Sequence, residues 1–189
     1  MTHVYFSADL HGDHANIIKY ANRPFLNSDS LNKEDEWIST EEKYRCCSWM
    51  NEILIKNWNN KVNPDDVVYH VGDFCFGSGG HDKFTSRLNG VIVHVKGNHD
   101  SNNGVKSYLH SGIFLFGGLE VYVVHVPPRN PGEIPNRCDL VLHGHVHNAW
   151  KSKIMGDTPM INVGVDVWDY EPVSVESVLK LYNKLTRRS

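Results

Sequence analysis

The 189-residue sequence contains no apolar run that approaches membrane-spanning length, so no transmembrane helix is expected. Its first residues, MTHVYFSADL, lack the charged region and long apolar stretch of a secretory leader. Cysteine is scarce: Cys46, Cys47, Cys75 and Cys138 show no C-x-x-C spacing, which argues against a structural zinc knuckle and against a disulfide framework. Basic charge is scarce too. Nineteen Lys and Arg stand against 22 Asp and Glu, a net charge of −3, which argues against stable non-specific nucleic-acid binding. Only Lys184-Leu185-Thr186-Arg187-Arg188 is locally basic, and it reads as a solvated terminus. With no repeat, low-complexity segment or linker, residues 1–189 read as one domain. The expected setting is the cytoplasm, with reduced thiols and no membrane association.

What the sequence does have is histidine, twelve in all, many beside Gly or Asp. Residues 140–150 read LVLHGHVHNAW, an apolar run followed by three histidines at alternate positions. If the strand simply continued, all three would share a face; Gly144 offers a point where the chain can turn outward and present imidazoles. One histidine near a strand end is commonly a packing residue. The group gains meaning because similar polar tips close other apolar runs.

HVYFSA (3–8) reads as a buried strand stopping at Asp9, and HANIIKYA (14–21) as a helix closed by Pro24. A polar stretch, Asn27 to Ser39, precedes Thr40-Glu41-Glu42-Lys43, which opens a long helix through Trp58 with apolar residues at spacings near three and four. VVYHV (67–71) ends at Gly72-Asp73, and a short helix at 82–88 leads to VIVHV (91–95), which ends at Lys96-Gly97-Asn98-His99-Asp100. Leu119 to Val126 and Leu140 to His143 are further strands with histidine near their ends. Strands alternating with helices predict an α/β domain whose active residues lie beyond the strands' carboxyl ends.

In order, the tips are Asp9-Leu10-His11, Gly72-Asp73, Gly97-Asn98-His99-Asp100, His125 and Gly144-His145-Val146-His147. This series resembles the calcineurin-like metallophosphoesterase superfamily, whose pattern runs D-x-H, G-D, G-N-H-D/E, H and G-H-x-H; HANIIKYANRPF (14–25) looks like a stretch found in small stand-alone bacterial and phage members. The resemblance implies a sandwich of two β-sheets flanked by helices, with Val163-Gly164-Val165-Asp166 as a return strand. It assigns one divalent metal to Asp9, His11, Asp73 and His147 and another to Asp73, Asn98, His125 and His145, with Asp73 shared. Imidazoles, carboxylates and an amide oxygen suit manganese, the favoured ion here, or iron, zinc or nickel better than calcium. Two ions about 3.5–4 Å apart can activate water and polarise a phosphoryl oxygen.

By the same resemblance His99 is not a ligand but faces the substrate as a catalytic group, and Asp100 orients it. Asn98 also borders the substrate. HANIIKYANRPF adds His14 and Arg23 as substrate-binding candidates, since a guanidinium near the metals could grip a phosphate oxygen. For Arg23 a surface ion pair is the competing assignment. His70, His94 and His143 lie inside apolar runs and read as core or supporting residues. Trp37, Trp150, Trp168 and Tyr170 could stack on a nucleobase, although packing is the commoner role.

The expected function is hydrolysis of a phosphodiester or small nucleotide, with a phosphomonoesterase using the same centre as the alternative. A scaffold that keeps the fold without the chemistry should show eroded ligand positions, and none of the seven is missing. A nuclease built on Asn98-His99 alone would leave Asp9, Asp73 and the final histidine pair unexplained.

Overall fold

Three apolar runs that end in polar motifs form one parallel array. Val4–Ser7 (β1), Val67–Val71 (β2) and Val91–Val95 (β3) pair in the order β3-β2-β1 in the computed structural model, which describes residues 2–187 except 78, 102 and 108. Val173–Ser174 (β9) adds an antiparallel edge beside β1. A second sheet comprises Ser111–Phe116 (β4), Leu119–Val124 (β5), Leu140–His143 (β6), Ser152–Met155 (β7) and Thr158–Asn162 (β8), ordered β4-β5-β6-β8-β7. Its β5, β6 and β8 run parallel, and an antiparallel hairpin closes each side.

The helices are Asn16–Tyr20 (α1), Thr40–Lys61 (α2), Gly80–Thr85 (α3) and Val175–Thr186 (α4). As expected, α2 opens at Thr40, and there the Ser39 hydroxyl accepts from the Glu42 amide, supplying one of the helix's unpaired donors with a partner. Cys47, Met50, Leu54 and Trp58 then bury one face against Ile18, Val68, Phe74 and Phe84. A separate cluster, including Phe6, Val71, Val95, Val123, Leu142 and Ile161, fills the space between the sheets. β1 and β2 divide their side chains between these clusters: Phe6 and Val71 face the second sheet, while Tyr5 and Val68 face the helices. The architecture is two mixed β-sheets with flanking helices.

The segment expected as a return strand needs correction. The strand is β8, which ends at Asn162, and Val165–Val167 is a 3₁₀ turn. The cause is local: the Gly164 amide donates to Asn162 Oδ1 and the Val165 amide to the Ala8 carbonyl, so the chain leaves the second sheet and crosses to β1. α1 is also shorter than HANIIKYA, because His14 and Ala15 remain in the turn that follows β1. The basic tail proves to be largely the last turn of α4, where Leu185 packs against the inter-sheet cluster; Arg188 lies outside the described residues.

All four cysteines are free thiols, and no helix among the described residues is long and apolar enough to cross a membrane. The polar stretch 27–39 is tied down rather than loose. Trp37 Nε1 donates to Asn16 Oδ1, Ser30 Oγ bonds Glu42, and Leu31 bridges Trp37.

His70 is fully buried between Trp58 and Phe74, and neither ring nitrogen has a hydrogen-bond partner. Burial, reinforced by repulsion from the nearby His94 and His125 imidazoles whenever they are protonated, drives its pKa well below 6.5. Unfolded His70 takes up a proton near that value and the folded form does not, so its contribution to stability is present above pH 6.5 and drains as pH falls. His70→Leu should therefore narrow the difference in melting temperature between pH 7 and pH 5. An unchanged difference would show that His70 is already solvated or paired in the folded protein.

Candidate metal centre

The carboxyl ends of β1, β2, β3, β5 and β6 converge, and hydrogen bonds between successive tips fix their separation. The Asp9 amide donates to the Gly72 carbonyl, that of His11 to Asp73, and that of Gly144 to His125, each at 3.0–3.1 Å. Asp9, His11, Asp73, His145 and His147 all adopt left-handed backbone conformations, with φ of 54°, 52°, 57°, 71° and 46°. Such angles cost non-glycine residues ~1–3 kcal/mol each, and the folded structure holds five of them around one point. Gly97 and Gly144 serve this convergence by leaving space. A Cβ at Gly97 would lie 2.2 Å from Asp73 Oδ1, and one at Gly144 would lie 2.6 Å from Asp9 Oδ2.

The side chains form two overlapping groups of metal-ligand type, Asp9, His11 and His147, and Asp9, Asp73 and His125. Asp73 Oδ2 lies 3.6 Å from His11 Nε2 and 3.3 Å from His125 Nε2. Asn98 Oδ1 lies 3.0 Å from both His125 Nε2 and His145 Nδ1. All seven expected ligand residues are thus brought together, with Asp9, His11, Asp73 and His125 buried and Asn98 and His145 open to solvent.

The hydrogen-bond partners fix which ring atoms face inward. His125 Nδ1 donates to the Val71 carbonyl at 2.8 Å, which turns Nε2 toward Asp73 and Asn98. His147 Nδ1 donates to Asp166 Oδ2 at 2.8 Å, leaving its Nε2 for the site. His11 Nε2 is buried with no hydrogen-bond partner at all. It faces the Asp73 carboxylate at 3.6 Å, too far for a good hydrogen bond and suited to a cation held between the two. Titration behaviour agrees: burial raises Asp9 to about 6, while for His125 burial is outweighed by Asp73 and Asp9, which push it up to about 9. The donor set therefore fits divalent metal binding, with a proton as the competitor.

His99 stands at the rim of the cluster, exposed, with its ring centroid 5.9 Å from that of His11. It lines a cavity of about 240 Å³ with Phe76 and Asn98, and its amide donates to Asp73 Oδ1. His14 has one ring nitrogen 3.3 Å from His11 Nδ1 and stacks on Phe76 at 3.9 Å between centroids. It is held close to the expected ligands, and burial lowers it to about 4, so it is neutral.

Two expectations fail. Asp100 does not orient the His99 ring: its Oδ2 accepts from the Asp73 and Gly97 amides and its Oδ1 from Phe74 and Asn103. It pins the ends of β2 and β3 together and holds the backbone on which Asp73 sits. Arg23 does not reach a substrate position either, being 1% exposed. Its Nε donates to Asp166 Oδ1 at 2.8 Å, and Nη2 and Nη1 donate to the Asp9 and Leu10 carbonyls. Both possibilities raised for it, a substrate clamp and a surface ion pair, give way to a buried pair.

Asp166 is the residue that sequence reasoning missed. It receives both Arg23 and His147, and so joins the β1 tip to the final histidine pair. Its only sequence signal was a place in an apparent strand. Asn162 was missed likewise; its Nδ2 donates to the His147 and Trp150 carbonyls and shapes the same turn. Trp150 and Trp168 are half-buried, Trp150 against His143 and Trp168 with its Nε1 donating to the Asn162 carbonyl.

Residues 51–176 match the calcineurin-like phosphoesterase superfamily domain, and the chain belongs to that superfamily. The matched span begins after Asp9 and His11, whose place in the cluster rests on the geometry above. Across 97% of its length the chain is 33% identical to the uncharacterized protein MJ1445 of Methanocaldococcus jannaschii, 93% of which is covered. Among solved structures it is similar to the protein of unknown function AQ665 from Aquifex aeolicus, with a TM-score of 0.65 and 24% identity over 96% of this chain and 100% of that one. A more distant likeness is to Vps29 of Entamoeba histolytica complexed with Zn²⁺, with a TM-score of 0.43 and 15% identity over 85% of this chain and 73% of that one.

Proposed function

We propose that the protein is a metal-dependent phosphoesterase that favours phosphodiesters or small nucleotides, with two divalent ions, manganese preferred, at the strand-end cluster. Superfamily membership supports the general class. The observation that carries the reading is the convergence of Asp73 Oδ2 and Asn98 Oδ1 on His125 Nε2, beside the unpartnered His11 Nε2. Asp9, His11, Asp73 and His147 would hold one ion, and Asp73, Asn98, His125 and His145 the other. Ions bound there supply Lewis acidity, lowering the pKa of water toward about 7 and polarising phosphoryl oxygens.

The chain's own groups then set the geometry. Asp166 keeps the His147 proton on Nδ1, and the Val71 carbonyl does the same for His125, so both Nε2 atoms stay directed inward. Asp100 holds the Asp73 and Gly97 amides and fixes the spacing of the β2 and β3 tips. His99, beside the cluster and open to solvent, is the group placed to donate a proton to the leaving oxygen.

The diester preference gains from the correction at Arg23. A monoester dianion is usually held by several cationic side chains, and here the nearby arginine is committed to Asp166 inside the protein. Metal-stripped protein restored with manganese, nickel, zinc or magnesium should hydrolyse bis-p-nitrophenyl phosphate with a higher kcat/KM than p-nitrophenyl phosphate. A monoester preference would convert the assignment to phosphatase. Failure of every metal to restore turnover of either ester would remove the hydrolase reading.

A further inference from the structure

Beside the metal centre, on the far side of His14, lies a cavity of about 610 Å³ between the 13–16 turn and α2. That volume is in the range of small-molecule sites and far exceeds what a phosphoryl group fills. Its floor is a closed polar network: Asp13 accepts from Asn51 Nδ2 at 2.7 Å and from Lys83 Nζ at 2.7 Å. Lys83 is therefore neutralised within the wall. Lys43, half-buried on the first turns of α2, also lines the cavity.

Lys43 differs from its neighbours. Lys19, Arg45, Lys83 and Arg87 each lie within ion-pair distance of a carboxylate, whereas Lys43 has no such partner among the described residues. The cavity thus carries an uncompensated positive charge, one histidine away from the expected metal ligands. Tyr44, 68% exposed, provides an aromatic face at the same cavity.

We infer that this cavity is a second anion subsite, which takes the part of a nucleotide diester beyond the scissile phosphate and, through Lys43, binds a second phosphate on it. The inference rests on the phosphoesterase reading of the metal centre. His14 forms the shared wall, contacting His11 on one side and lining the cavity on the other. A charge-assisted contact of an ammonium with phosphate at a partly desolvated site is worth roughly tenfold in affinity.

The test compares thymidine 5′-(p-nitrophenyl phosphate) with its 3′-phosphorylated counterpart in manganese-loaded protein. The 3′-phosphorylated ester should be preferred by roughly tenfold in kcat/KM, mainly through KM. That preference should collapse in Lys43→Met and return in Lys43→Arg. Calorimetry on metal-free protein gives an independent readout, in which thymidine 3′,5′-bisphosphate should bind more tightly than thymidine 5′-monophosphate, and only while residue 43 is cationic. Turnover of both esters without preference, or a preference that survives Lys43→Met, overturns the subsite. If no metal supports turnover but the bisphosphate still binds through Lys43, the subsite stands and the hydrolase reading falls.

Discussion

On the two-ion reading proposed above, Asp73→Asn should abolish binding of both ions together while leaving the fold intact. Asp73 is the carboxylate with one oxygen poised between two inward-facing nitrogens, His11 Nε2 at 3.6 Å and His125 Nε2 at 3.3 Å. Asparagine has nearly the same shape, and its amide oxygen can keep accepting from the His99 amide as Asp73 Oδ1 does. Its NH₂ group would then occupy the other oxygen's place, where it can donate to His11 Nε2, the buried atom that now lacks a partner. The metal-free variant should nevertheless unfold somewhat below the wild-type temperature, because the buried Asp73–His125 ion pair is lost with the carboxylate. Metal affinity should fall at both sites by more than the roughly 10–100-fold that follows loss of a mere supporting partner, because the shared negative charge itself is gone. Manganese titration and elemental analysis after dialysis give the answer. Asp9 belongs to both metal-type groups, which supplies the contrast: if Asp73→Asn keeps one ion at full affinity while Asp9→Asn loses both, Asp9 is the shared carboxylate.

The parts of this structure that sequence exposed are those whose cause is local. β2, β3 and β6 have the expected bounds because each is a short apolar run closed by Gly or by a polar tip. The strand-end motifs were legible for the same reason, since an aspartate or histidine directly after a buried run falls at the strand's carboxyl end. β4 and β7 were not anticipated: Ile113 and Leu115 on β4, and Ile154 on β7, are exposed, so their edge strands carry little apolar alternation. Nor could the sequence place Arg23, whose ion pair with Asp166 joins residues 143 positions apart. Burying that pair demands good geometry on every donor, and the Asp9 and Leu10 carbonyls supply it. Asp100 was misassigned on similar grounds, because adjacency to His99 says nothing of which way its carboxylate turns, and three backbone amides and an Asn103 side chain claim it.

His99→Ala should leave metal content close to wild type and lower turnover by roughly 10²–10⁴-fold, the range associated with a positioned proton donor. The separation of the two effects follows from how His99 is attached. Its tie to the candidate ligands is the backbone amide that donates to Asp73 Oδ1, and alanine keeps that amide. What alanine removes is an exposed ring beside the cluster, lining the same cavity as Phe76 and Asn98 and contributing nothing to the buried cores. Stability should therefore change little. The loss should be largest for an alkoxide leaving group, which must be protonated as its bond to phosphorus breaks. It should shrink for p-nitrophenolate, which leaves readily as an anion. Comparing wild type and variant on alkyl and aryl diesters with the same metal resolves the role: an equal loss on both substrates would make His99 a charge stabiliser for the phosphoryl oxygens rather than a proton donor. Loss of an ion in His99→Ala would make it a ligand, and its assignment beside the substrate would have to be withdrawn.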